Sequence, residues 1–77
     1  MEAKVLEALQ LAEKGEWDAS HTMVQQQDTP LACWLHACLH REEGDLSNAN
    51  YWYRNAGEEA RSGAIEDERA EIRARLV

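Results

Sequence analysis

Pro30-Leu-Ala-Cys-Trp-Leu-His-Ala-Cys-Leu-His40 carries no formal charge in a chain whose residues are 30% charged, and Asp28 and Arg41 close it off on either side. On a helical wheel Leu31, Trp34, Leu35, Cys38 and Leu39 fall on one side, and Cys33, His36, Ala37 and His40 on the other. Neither face is made for water. A helix of this kind is sandwiched between others, so the fold expected around it is all-α, with this segment at the centre.

Punctuation on both sides supports that reading. Asp28 or Thr29 can accept from free backbone N–H groups at the helix start, and Pro30 suits the first turn. Gly44 stops the helix at about Glu43. Asp45 or Ser47 then caps a following helix from Leu46 to about Ala56, whose inward side is expected to carry Leu46, Ala49, Trp52, Tyr53 and Ala56. Upstream, residues 2–14 read as a helix with a stripe of Val5, Ala8, Leu9 and Ala12, ended by Gly15. A further helix runs from Trp17 to about Gln27, with Trp17, Ser20 and Val24 inward. The final segment is a charged helix with a thin stripe of Ile65, Ile72 and Leu76, read as a lid over the core or a frayed tail. Glu66 to Arg69 and Glu71 to Arg75 are spaced to pair along its surface. The expected architecture is one helical domain over residues 1–77, with one antiparallel hairpin at about 2–27, a second at about 30–56 and a terminal helix at about 63–76.

Size and charge narrow the function classes. A helical chain of 77 residues buries its apolar surface by packing several short helices, or by pairing with a second copy as a homodimer. The net charge of −7 comes without any Lys/Arg cluster, which argues against nucleic acid and anionic membrane surfaces as partners. No apolar run approaches the roughly 20 residues of a membrane span, and the N-terminus has no signal-peptide character. Cys33 and Cys38 point about 140° apart on their helix, too far for a bridge. A cytoplasmic, reducing setting is the simplest expectation.

The two halves match at an offset of 29: Ala8 with Ala37, Gly15 with Gly44, Glu16 with Asp45, Trp17 with Leu46, Ser20 with Ala49 and Val24 with Tyr53. Each half is helix, Gly-acidic turn, helix, with small residues where two antiparallel helices would approach. This pattern resembles the tetratricopeptide repeat (TPR), although it is shorter than the usual repeat of about 34 residues, lacks the signature Trp and Leu in its first hairpin and has His40 where a Tyr is expected. Trp34-Leu-His-Ala-Cys-Leu-His-Arg-Glu-Glu-Gly-Asp-Leu-Ser-Asn-Ala-Asn-Tyr-Trp-Tyr-Arg-Asn-Ala-Gly57, with Gly15-Glu-Trp-Asp-Ala-Ser-His21 upstream, also resembles the signature of a family of short uncharacterised bacterial proteins. That resemblance implies the helical fold and carries no activity.

Two sets of residues are candidates for function. His36 and His40 are one turn apart with Cys33 a turn before, a spacing that suits a transition metal. The zinc-protease pattern would place Glu after the first His, where Ala37 stands, and Cys38 points away, so no fourth ligand is evident. The competing expectation is that both histidines pack against the Leu46–Ala56 helix and hydrogen-bond its Tyr or Asn groups. Cys33 with a neighbouring His could in principle be a nucleophile, but a thiol on a packed face is usually an inert small hydrophobe. Asn48, Tyr51 and Asn55, with Asn50 and Arg54 beside them, form a polar and aromatic face suited to recognising a protein partner. Nothing assembles a nucleophile, base and oxyanion donor, and no residue is assigned a catalytic role or a cofactor. The sequence therefore favours a protein-binding module of unknown partner, with a metal or small-ligand site at Cys33, His36 and His40 as the alternative.

Overall fold

The computed structural model of the chain describes residues 2–76, and these form helices α1 (Ala3–Glu13), α2 (Trp17–Val24), α3 (Pro30–Glu42), α4 (Leu46–Ala56) and α5 (Ile65–Leu76), with no strand among the described residues. The start of α3 is fixed as its residues demand. The Thr29 hydroxyl oxygen accepts from the Ala32 N–H at 3.3 Å and donates to the Glu2 carboxylate, while Pro30 takes the first helical position. Asp45 caps α4 by accepting from the Asn48 N–H. Helix α2 stops at Val24, short of the expected Gln27. The glutamines after it close with tight bonds from Gln26 N to Met23 O and Gln27 N to Val24 O, and they bring no apolar group that would reward another turn.

The two hairpin turns are built alike. Gly15 and Gly44 have φ of +83° and +89°, the left-handed conformation that lets the next N–H reach back five residues. Glu16 N thereby bonds Leu11 O at 3.0 Å, and Asp45 N bonds His40 O at 2.9 Å. Every partner in the second turn is displaced by 29 residues from its counterpart in the first. The matched small positions are buried too: Ala8 and Ser20 in one hairpin, Ala37 and Ala49 in the other. Ser20 spends its hydroxyl on the Ala8 carbonyl at 2.7 Å, so a polar side chain sits inside the α1–α2 contact at no cost in unpaired groups.

Helix α3 is buried at every position from Ala32 to His40. It packs against α4 on one side, the α1–α2 hairpin on another and α5 on a third, which is why no side of it is polar. Trp17 fastens α2 to α3 by donating its indole N–H to the Leu39 carbonyl at 2.8 Å. Helix α5 is not a frayed tail: Ile72 and Leu76 of the expected stripe are buried, Glu68 is buried with them, and the helix covers the core by packing on α3 and α1. Its arginines do not pair along their own helix. Arg69 reaches Glu42, Arg73 reaches Glu13 and Arg75 reaches Glu58, each on another part of the chain.

Leu46, expected inside, is 59% exposed. The repeat explains why. Its counterpart Trp17 is covered because a following hairpin begins with α3, and Trp17 packs on it. No third hairpin follows α4, and α5 packs on α1 and α3.

The feature that joins the parts is Glu68, 2% exposed. Its carboxylate accepts from the Trp34 indole N–H at 2.9 Å, the Tyr53 hydroxyl at 2.5 Å and the Arg41 guanidinium at 3.0 and 2.8 Å. Arg41 also donates to the Gly63 carbonyl, fixing the approach to α5. Removing the carboxylate leaves a buried indole and phenol without an acceptor and a half-buried guanidinium without its counter-charge. Glu68→Ala is expected to cost about 3–5 kcal/mol in urea unfolding, whereas Glu66→Ala on the exposed face of the same helix costs no more than about 0.5. Equal midpoints for the two variants would contradict this account.

Candidate functional site

The α2–α3 contact that Trp17 fixes also brings His21 onto α3. His21 Nε2 lies 3.1 Å from His36 Nε2, and their rings meet edge to face. His36 stacks with His40 at 4.9 Å between centroids, as i and i+4 residues on a helix should. One ring nitrogen from each of His21, His36 and His40 lies within 4.8 Å of the others. His40 Nδ1 contacts Glu43 Oε2 at 2.7 Å. Tryptophans wall the cluster: Trp17 stacks on His21 at 4.8 Å, Trp52 stacks on His36 at 4.0 Å, and Trp17 stands edge-on to His40.

Of the residues singled out from sequence, His36 and His40 are brought together and Cys33 is not with them. Cys33 belongs to neither group of converging metal-type ligands among the described residues, which are His21/His36/His40 and His40/Glu43/Asp45. Burial, helped by Asp28, raises its thiol pKa, and burial with Glu68 nearby pushes Cys38 up to about 12. Both remain free thiols. The expected hydrogen bonds from the histidines to Tyr or Asn of α4 are replaced by His21 and Glu43, and what α4 supplies is the Trp52 ring. Helical spacing along α3 gives no sign of His21, which reaches His36 from α2. The available signal was the inward Trp17: a residue four positions on shares its face.

The second candidate set lies around the corner. Asn50, Tyr51, Arg54 and Asn55 are exposed and Asn48 is half-buried, on a face of α4 that α5 leaves open. Tyr51 is 50% exposed and meets Trp52 edge to face at 5.0 Å, so this surface touches the ring that backs His36. Asn55 turns its amide back to the Tyr51 carbonyl. A shallow cavity of about 210 Å³ lined by Glu13, Glu66 and Arg69 is lined by none of these residues. No helix among the described residues is long and apolar enough to cross a membrane. No protein family, curated protein or solved structure matches the chain, so the site rests on its own geometry.

Electrostatically the site favours the neutral imidazole at His36 and His21. Burial first, then the neighbouring His21 and His40, lowers the His36 pKa from 6.5 to about 4; burial and His40 lower that of His21. A histidine whose folded pKa is depressed binds fewer protons in the native state than in the unfolded one. Its contribution is present above pH 6.5 and is lost as pH falls through 4. Native stability measured in chelator-containing buffer is expected to drop by on the order of 3 kcal/mol over that window, and His36→Gln is expected to flatten the drop. An acid limb unchanged in His36→Gln would contradict this.

Proposed function

We propose that the protein is a divergent, TPR-like helical module that binds a protein partner through the open face of α4, and that it acts by binding rather than by catalysis. One observation carries the reading. Among the described residues the large hydrophobic side chains left exposed, Leu46 and Tyr51, are both on α4, at the two edges of an outward arc of about 140° whose one charge is Arg54. Charge depletion with an aromatic and amide groups is the composition of an interface centre, and the rest of this surface is dense in carboxylates and arginines.

The repeat also suggests the shape of the occupant. Trp17 and His21 of α2 meet the next hairpin, and their counterparts one repeat later are Leu46 and Asn50. A partner helix standing where a third hairpin would begin covers Leu46 and Asn50 as α3 covers Trp17 and His21. Its apolar stripe meets Leu46 and Tyr51, and an acidic or amide group meets Arg54. Buried thiols with raised pKa values suit a reducing, cytoplasmic setting.

Immobilised protein is expected to retain a partner from a lysate of the cells that make it, and amide exchange with the recovered partner is expected to protect α4. Leu46→Asp and Tyr51→Ala each weaken retention at least about tenfold while circular dichroism stays unchanged, and Glu7→Ala on α1 does not. Protection mapped away from α4, or equal retention by all variants, overturns the proposal. Dimerisation of the free protein, seen by light scattering and abolished by Leu46→Asp, would replace the foreign helix with a second copy.

A further inference from the structure

We propose that His21, His36 and His40 form a three-histidine site for a divalent transition metal, Zn²⁺ in the first instance, with Glu43 orienting His40 and a fourth coordination position open toward solvent. The site joins two helices and replaces Cys33 with His21 in the donor set that α3 alone suggests.

The His21–His36 distance suits an ion, and a ring nitrogen of His40 lies within 4.8 Å of both, so that His40 closes in by a small ring movement on binding. Ligands on a tetrahedral zinc with Zn–N of about 2.0–2.1 Å are separated by roughly 3.3 Å. His21 Nε2 and His36 Nε2 are already 3.1 Å apart. Without an ion, one of these facing nitrogens must carry the proton that the other accepts. An ion between them uses both Nε2 lone pairs, and the proton moves to the Nδ1 of the histidine that had carried it. His40 has Nδ1 taken by Glu43, which leaves its Nε2 as the donor. A carboxylate on the far nitrogen of a ligand imidazole fixes tautomer and ring angle and raises basicity, the usual outer partner of a metal-bound histidine.

The setting suits an ion too. His36 and His40 are buried while His21 is half-buried, so an ion has a way in and water has a place on its exposed side. Stacking of Trp17 on His21 and of Trp52 on His36 restrains two of the three rings before any ion arrives. Lowered basicity at His36 and His21 keeps their lone pairs free at neutral pH. Asp18 on α2 and Glu43 act on His21 and supply negative charge near the entrance. Three imidazoles with no thiolate define a nitrogen site, which zinc, cobalt, nickel and copper fit better than calcium or magnesium.

Untagged protein stripped with chelator and dialysed is titrated with zinc chloride by calorimetry. A parallel titration uses cobalt chloride, read by the visible bands of four-coordinate cobalt. Binding of one ion per chain is expected, with calcium chloride giving no heat. The indoles of Trp17 and Trp52 adjoin two of the ligands, so copper chloride is expected to quench tryptophan fluorescence with the same stoichiometry. His21→Ala removes a half-exposed side chain, so the fold, checked by circular dichroism, is expected to survive while affinity falls at least about a hundredfold. Glu43→Gln keeps the stoichiometry and weakens binding about 10- to 100-fold. Cys33→Ser binds as wild type. No saturable zinc binding by the wild type, or His21→Ala binding as tightly as wild type, overturns the site. Loss of binding in Cys33→Ser with His21→Ala unaffected would return it to α3 alone.

Discussion

Beside the buried Ile72 and Leu76, one carboxylate ties α5 to both α3 and α4. Glu68 comes from α5, Trp34 and Arg41 from α3, and Tyr53 from α4, and their donors converge on its two oxygens inside the core. Helix α5 does not pack directly on α4; the link between them runs through the Tyr53 hydroxyl. Burying such a charge is tolerable only when it is well supplied with donors, and here the indole, the phenol and two guanidinium N–H groups all donate to it. It also explains the guanidiniums of Arg61 and Arg75 lying 4.8 and 4.9 Å from the Trp34 ring centre. They cover the indole whose N–H Glu68 has taken, and both return to Glu58. The chain between α4 and α5 is thus organised by arginine rather than by regular structure.

Much of the fold could be read from residues alone because the local signals agree with the tertiary outcome. The bounds of α4 follow from Asp45 and Gly57, and those of α3 from Thr29, Pro30 and Gly44. The uncharged run of α3 forces a central position. What resisted reading was α5. Its buried face includes a glutamate, so its apolar stripe is thin and its carboxylates and arginines resemble a solvated surface. Only the positions of Trp34, Tyr53 and Arg41 reveal that Glu68 belongs inside. Leu46 misled for the opposite reason: its place in the repeat is an inward one only where another hairpin follows.

The candidate site divides along the same line. His36 and His40 are visible as neighbours because helical spacing is local, and the polar face of α4 is visible for the same reason. His21 is fifteen positions from His36 in sequence, and the two meet only because Trp17 docks α2 on α3. Glu43 was foreseeable as a neighbour of His40. The aromatic walls were not, since Trp17 and Trp52 come from helices on either side of α3. Through Trp52, stacked on His36 and edge-on to Tyr51, the histidine cluster and the open α4 face share a wall.

The sixty-residue separation between Glu13 and Arg73 has a kinetic consequence. The turns at Gly15 and Gly44 close short loops, so each hairpin forms from contacts near in sequence and needs little chain entropy. Docking α5 requires almost the whole chain to be arranged first, and it is also the step that strips water from Glu68. The two hairpins are therefore expected to form before α5 docks, with Trp34 and Arg41 left facing solvent until it does. In that interval the chain is held by its repeats alone, and the final helix acts as the latch that slows its reopening.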